Sequence, residues 1–391
     1  MRRLAKILAY GFALLVAAGV AFFFLVLPGL TDSLLNPTLN PGPYKASSAA
    51  TDLHKRLTVA DLHADSLLFG RDLLKKSRRG HVDIPRLIEG NVALQIFSVV
   101  TKSPRFQNYE SNSGNTDNIT LVAIANGWPR KTWSSLKERA LYQAGRLHEF
   151  AAKSDNQLVL IRSKGDLQNF LKRRQSEPRI VAGVLALEGA HVLEGDVKNV
   201  DVMFDAGYRM MSFAHFFDSE VAGSAHGIDK GGLTGIGLDV VMRMEAKNMI
   251  IDLAHASDAQ IDDVLAVASK PVVVSHTGVK GTCDNRRNLS DAQLRGIART
   301  GGLVGIGYWS AATCGKDVAS IVKAIRYTVD VVGVDHVGLG SDYDGAVAVP
   351  FDTSGLVLLT EGLMNAGFSE ADIAKIMGGN QIRLLEQGLP D

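Results

Sequence analysis

Seven side chains able to hold a metal ion sit where short apolar runs end. Val59-Ala60-Asp61-Leu62-His63-Ala64-Asp65 closes one run with His-x-Asp. Positions i and i+2 of an extended chain point the same way, so His63 and Asp65 can grip one ion. Leu185-Ala186-Leu187-Glu188 ends in an acid, and Met211-Ser212-Phe213-Ala214-His215 ends in a histidine. Ile250-Ile251-Asp252-Leu253-Ala254-His255, Val272-Val273-Val274-Ser275-His276 and Gly338-Leu339-Gly340-Ser341-Asp342 repeat the plan. Imidazole and carboxylate together suit zinc or a similar divalent ion. Four histidines and three acids exceed what one tetrahedral site needs, which favours two metals bridged by a carboxylate and a hydroxide.

A lone histidine at a strand end is more often structural, so the expectation rests on the set. Asp61 and Asp252, inside the same runs, are suited to supporting ligands through hydrogen bonds. His54, His81, His148, His191, His226 and His336 have no comparable position and read as surface or structural residues.

The elements that must position these groups alternate. Continuous apolar runs at 58–63, 91–99, 180–188, 208–214, 249–255, 271–276, 302–308 and 336–342 read as strands buried on both faces. Amphipathic stretches at 237–248, 257–269, 290–300 and 316–332 read as helices between them. This alternation predicts a parallel sheet, and its length favours a (β/α)8 TIM-type barrel over an open sheet. Barrel sites form at the C-terminal ends of the strands, which is where the seven residues fall. A further apolar run at 158–161 reads as an accessory strand, and the polar stretch 101–135 as an excursion over the mouth. Gly235 with Gly237, and Gly305 with Gly307, lack the full dinucleotide fingerprint and read as turn glycines.

Composition excludes several classes. Lys and Arg total 42 against 41 Asp and Glu, so no excess positive charge would drive nucleic-acid binding. Two cysteines are too few for a disulfide scaffold or a cysteine-rich zinc fold. Hydrophobic residues at 46% and charged residues at 21% are ordinary for a globular chain of 391 residues.

The first thirty residues stand apart. Arg2, Arg3 and Lys6 precede an uncharged stretch from Ile7 to Leu30. A hydrocarbon core of about 30 Å needs roughly 20 helical residues, whereas a secretory signal has an apolar run of only about 7–15. Residues 1–30 therefore read as a cytoplasmic tip and an uncleaved transmembrane signal anchor through 7–30. The basic end places the N-terminus in the cytoplasm and the rest outside it. Residues 31–57, rich in proline and small polar residues, read as a tether, and 58–391 as the barrel domain.

Over about residues 58–388 the chain resembles the membrane dipeptidase (renal dipeptidase) family of amidohydrolase-like barrels. The resemblance lies in Asp-Leu-His-Ala-Asp, Leu-Glu-Gly-Ala-His, Gly-Leu-Thr-Gly-Ile-Gly, Met-Ile-Ile-Asp-Leu-Ala-His-Ala-Ser, Ser-His-Thr, Asn-Arg-Arg-Asn-Leu and Gly-Ser-Asp-Tyr-Asp-Gly. It implies a zinc dipeptidase with two ions bridged by Glu188 and hydroxide. His63, Asp65 and Glu188 would hold one ion, and Glu188, His255 and His276 the other. It further implies that His215 contacts the scissile group, Arg287 binds the substrate carboxylate and Asp342 carries the proton. Arg286 reads as surface charge and Asp344 as structural. The implied substrates are dipeptides with a free C-terminal carboxylate, cleaved by hydroxide attack, and the family favours a homodimer.

Two departures matter. The stretch 101–135 is longer than in the animal enzymes, and the anchor is N-terminal where animal members resemble precursors with a C-terminal lipid-anchor signal; Gln387-Gly-Leu-Pro-Asp offers no apolar tail. A bacterial relative with a periplasmic or extracellular catalytic domain is the reading. Cys283 and Cys314 lie in segments where family members carry a disulfide, a bond that an oxidising compartment permits. The alternatives are a related amidohydrolase, such as an N-acyl-amino-acid deacylase or a lactonase, and a catalytically silent binding barrel.

Overall fold

In a computed structural model, which describes residues 2–391, nine parallel strands form one sheet. They are β1 (Val59–Ala64), β2 (Val92–Val100), β3 (Leu158–Leu160), β4 (Val181–Glu188), β5 (Tyr208–Ser212), β6 (Ile250–Asp252), β7 (Val273–Thr277), β8 (Leu303–Ile306) and β9 (Val337–Leu339). The order β1-β2-β4-β5-β6-β7-β8-β9 makes a nearly closed eight-stranded barrel. A bridge from Ala64 to Tyr343 joins its two ends. β3 pairs only with the start of β4, through Leu158 opposite Val181, and is the accessory strand expected of the run at 158–161.

Eight of the nine strands are buried at every position, β3 being the exception, because helices cover the barrel outside and side chains fill it inside. Where strands crowd together no side chain fits. A Cβ at Gly305 would come within 2.2 Å of the Ser275 carbonyl oxygen, so β7 and β8 can approach only with glycine there. The expected helices appear as Gly235–Ala246, Asp258–Val267, Asp291–Arg299 and Val318–Val332. Their N-termini are capped by Thr234, Ser257, Ser290 and Asp317, each satisfying a backbone N–H that the first turn leaves free.

The N-terminal apolar helix runs from Arg2 to Leu35, 34 residues, with a short π-helical turn at Phe22–Val26. Its mean hydropathy reaches 2.5, and nothing from Arg2 to Ala21 is buried. The helix is long and apolar enough to cross a membrane. It continues past the expected boundary at residue 30, so the tether region begins as helix. Ser48–Arg56, also read as tether, is a helix capped by Ser47 whose Ala50, Leu53 and His54 are buried. Its proline-rich surroundings conceal one short amphipathic helix. His54 Nδ1 lies 2.7 Å from Thr360 Oγ1, which pins the helix to the barrel.

The excursion 101–135 folds over the mouth and carries a helix, Ile119–Ala125. Arg139 clamps it from below, donating to Thr101 O, Thr132 O and Asp117 Oδ2, each at 2.6 Å. A disulfide joins Cys283 to Cys314, with Cα atoms 5.3 Å apart.

Candidate active site

All seven sequence-selected residues meet at one end of the barrel, and all are buried. His63 lies in β1, Glu188 ends β4 and His276 lies in β7. Asp65, His215, His255 and Asp342 sit just beyond their strands rather than on them, because β5, β6 and β9 stop earlier than their apolar runs suggest. His255 and Asp342 adopt left-handed backbone, with φ of 63° and 60°. Residues without glycine's freedom hold that conformation only where their surroundings enforce it, and such positions gather at functional sites.

The Glu188 carboxylate is central. Oε2 is 3.6 Å from His63 Nε2, while Oε1 is 3.0 Å from His255 Nε2, 3.4 Å from His276 Nε2 and 3.7 Å from His215 Nε2. His63 Nε2 also lies 3.4 Å from Asp65 Oδ2 and 4.0 Å from Asp342 Oδ1. The two oxygens thus face different partner sets across one carboxylate.

The residues fit divalent metal ions. Three groups (His63, Glu188 and His276; Glu188, His215 and His255; His63, Asp65 and Asp342) each bring their ligand atoms within 4.8 Å of one another. His63 Nε2 and Asp65 Oδ1 are buried without a hydrogen-bond partner. The Nε2 atoms of His255 and His276 face each other at 3.0 Å. Burial, reinforced by nearby positive charge, holds both rings' pKa values well below the usual histidine range. Unprotonated nitrogens converging in this way leave buried lone pairs that a cation satisfies. Burial opposes the charge on His63 too, but Asp65 and Glu188 outweigh it and hold its pKa high. Burial would raise Glu188, yet His215 and His63 hold it well below the carboxylate range.

Supporting residues lock this set. Ser275 Oγ lies 2.9 Å from His276 Nδ1 and 3.3 Å from His63 Nδ1, orienting both histidines of the first group. Asp252 accepts the N–H groups of Ser275 and Ala254, both at 2.9 Å. Asp61 accepts from His63 N–H at 3.1 Å, Gln95 at 3.0 Å and Ser341 Oγ at 2.9 Å. Both acids have the supporting position expected of them. Ser275, adjacent to His276 in Ser-His-Thr, is the support that sequence reasoning passed over.

A cavity of about 440 Å³ opens above the cluster. Arg287 lines it, is buried, and donates to the His276 carbonyl at 2.6 Å. Arg286 points outward to pair with Glu110 at 3.2 Å, as a surface charge. Trp309 stacks 5.7 Å from the Arg287 guanidinium and donates to Tyr109 Oη at 3.1 Å. Neither aromatic residue was singled out from sequence, because Tyr109 reaches the site from the polar excursion, 200 residues from Trp309. His226 is buried against the site, its ring stacked on Phe216 at 4.8 Å.

The comparisons agree with this architecture. A Klebsiella pneumoniae sequence described as an uncharacterized protein in the pqqA 5' region is 32% identical over 260 residues, covering 62% of this chain and 94% of that one. Dipeptidase aclJ of Aspergillus oryzae is 28% identical over 317 residues, covering 78% of this chain and 69% of that one. A metallo peptidase from Rhodobacter sphaeroides, liganded with a phosphinate mimic of the dipeptide L-Ala-D-Ala, superposes with a TM-score of 0.71 at 23% identity, over 85% of this chain and 99% of that one. The probable dipeptidase PvdM from Pseudomonas aeruginosa gives 0.72 at 22% identity, over 87% and 97%. These two superpositions speak for the barrel alone. The pattern of the membrane dipeptidase family, peptidase family M19, matches residues 47–388, taking in every strand and all seven clustered residues, and the chain belongs to that family of dipeptidases.

Proposed function

We propose that the chain is a membrane-anchored dipeptidase using two zinc ions, His63, Asp65 and Glu188 holding one and Glu188, His255 and His276 the other. The split of the Glu188 oxygens between His63 on one side and His255 with His276 on the other carries this reading. Two zinc ions held there would supply Lewis acidity and lower the pKa of a bound water.

The chain's own residues supply the rest. The Arg287 fork, fixed by Trp309 and by the His276 carbonyl, binds the free C-terminal carboxylate of a short substrate. That contact favours a dipeptide over an internal peptide bond. His215, anchored through Nδ1 by the Lys102 carbonyl at 3.3 Å, stabilises the oxygen on which charge develops. Asp342 takes the proton released as water adds to the carbonyl and returns it to the leaving amine. Tyr109 and Trp309 wall the cavity and limit water around the reacting bond.

The apolar helix through 7–30 anchors the chain, with the N-terminus cytoplasmic and the barrel on the far side. Its unpartnered apolar side chains, Leu15 at 73% exposure among them, would otherwise face water.

The test uses the full chain in detergent with L-L dipeptides, L-D dipeptides and N-acyl amino acids. The relative bound to an L-Ala-D-Ala mimic is the reason to include D-residues. Chelator-sensitive dipeptide cleavage restored by zinc, with two ions per chain by elemental analysis, is the expected result. Cleavage of N-acyl amino acids alone would reassign the enzyme as a deacylase.

A further inference from the structure

The barrel does not hang from its helix at a distance. Asp32 is buried, and its Oδ2 lies 3.2 Å from Arg71 Nε and 3.6 Å from Arg79 Nε. Gly29 packs directly against the Arg79 guanidinium, which would have to move aside for a Cβ there. Phe24, Leu25 and Pro28 border a cleft whose other wall is Gly70, Asn126 and Gly127. Two edges of the barrel therefore touch the helix between Phe24 and Asp32. The uncharged stretch 7–30 is about 36 Å long as helix, longer than a hydrocarbon core of roughly 30 Å, so its last turns and the edges that touch them stand at the level of the lipid headgroups.

What the edges carry suits that level. Lys75-Lys76-Ser77-Arg78-Arg79 places four cations in five residues, and all four are exposed. Three acids answer them: Asp72, 3.0 Å from Lys75, Glu89, 2.6 Å from Lys76, and the buried Asp32, 3.6 Å from Arg79. Arg78 forms no ion pair among the described residues. Exposed pairs such as these are weak and give way to a denser negative surface. On the mouth side, Phe106 is 95% exposed and Leu121, in the helix Ile119–Ala125, is 47% exposed. Leu34, on the anchor itself, is 70% exposed. Basic loops beside a membrane span are drawn to anionic headgroups, while aromatic and aliphatic tips enter the interface.

We propose that the Lys75–Arg79 loop and the Phe106–Leu121 rim form a lipid-docking face that seats the barrel on an anionic bilayer surface. Leu35 and Phe106 both line the cavity above Glu188, so docking sets the mouth at the headgroup layer. Substrates then approach along the membrane surface. The inference rests on the anchoring proposed above, and goes beyond it by assigning a second, charge-dependent contact.

The test uses the full chain reconstituted in nanodiscs of phosphatidylcholine alone or mixed with phosphatidylglycerol. Amide hydrogen exchange over 72–80 should slow several-fold in the anionic discs and recover in high salt. A Phe106→Trp variant should be quenched by acyl-brominated lipid. Combined Lys75→Gln, Lys76→Gln and Arg78→Gln should abolish the lipid dependence while leaving dipeptide hydrolysis in detergent unchanged, which shows that the variant folds. Arg79 is retained because it packs on the anchor. Equal exchange over 72–80 in both lipids overturns the docking face, whatever Phe106 does. A chain stripped from vesicles by alkaline carbonate overturns the anchoring itself, an outcome distinct from a chain that stays while its loop ignores lipid charge.

Discussion

Asp32 in the N-terminal helix and Arg71 in the barrel form a buried ion pair, Oδ2 to Nε at 3.2 Å, and Arg71 reaches on to Asp344 Oδ2 at 2.5 Å. Asn36 extends the link by accepting the Ala346 N–H at 2.9 Å. The end of the helix thus grips the loop that carries Asp342. Removing Arg71 takes away the buried cation shared by two carboxylates, leaving Asp32 only the half-exposed Arg79 at 3.6 Å, and breaking a buried pair costs about 3–5 kcal/mol. Arg71→Ala should lower the thermal midpoint of the full chain in detergent by many degrees. An unchanged midpoint would show that the loop needs no hold from the helix.

Asp342→Asn keeps the shape of the side chain but removes its ability to carry a proton. Turnover should fall roughly 10²- to 10⁴-fold with metal content unchanged. Steady-state kinetics alongside elemental analysis decides the matter. Turnover near that of the parent would remove Asp342 from the proton path.

Glu188→Gln leaves one oxygen in place of a charged bridge. Fewer than two zinc ions per chain should remain after dialysis, with activity lost in step. A variant that retains both ions contradicts the bridging role of Glu188.

Arg287→Ala tests recognition of the substrate terminus. A charged hydrogen bond contributes about 1.5–3 kcal/mol, so KM for dipeptides with a free carboxylate should rise roughly tenfold to a hundredfold. Carboxyl-amidated dipeptides should show little further loss. Equal losses on both substrates would mean that Arg287 only supports the wall.

His81 makes stability depend on pH at a point outside the cluster around Glu188. Its Nδ1 accepts the Asp344 N–H at 2.9 Å, which requires a neutral ring. Burial, opposed by Asp344 and reinforced by Arg71 and Arg86, pushes its pKa down to about 4 from the usual 6.5. Between those values the unfolded chain binds a proton that the folded chain refuses. This contribution is complete above pH 6.5 and drains away as the pH falls towards 4, at up to about 1.4 kcal/mol per unit. Denaturant titrations across this range should show the slope, and His81→Gln should flatten it. An identical slope in the variant would place the titrating group elsewhere.

Much of this protein could be read from local sequence. Continuous apolar runs located the eight barrel strands because a strand buried on both faces has little choice of composition, and the residues ending those runs named the cluster around Glu188. The runs overstated the lengths of β5, β6 and β9, since apolar character continues into loops that are themselves buried. That His255 and Asp342 take left-handed backbone was invisible, because it is imposed by neighbours distant in sequence. The same holds for the aromatic wall, where Tyr109 meets Trp309, and for Ser275, whose value lies in touching His63, 212 residues away. Composition marked 31–57 as a tether, yet Asp32 is built into the body because Arg71 and Arg79 await it there. Side-chain types and strand periodicity are local properties, and the sequence by itself determined the barrel, the residues that cluster around Glu188 and the apolar helix. Which oxygen of Glu188 faces which histidine, and how the helix grips the loop that carries Asp342, are contacts between distant segments, and only the assembled barrel decided them.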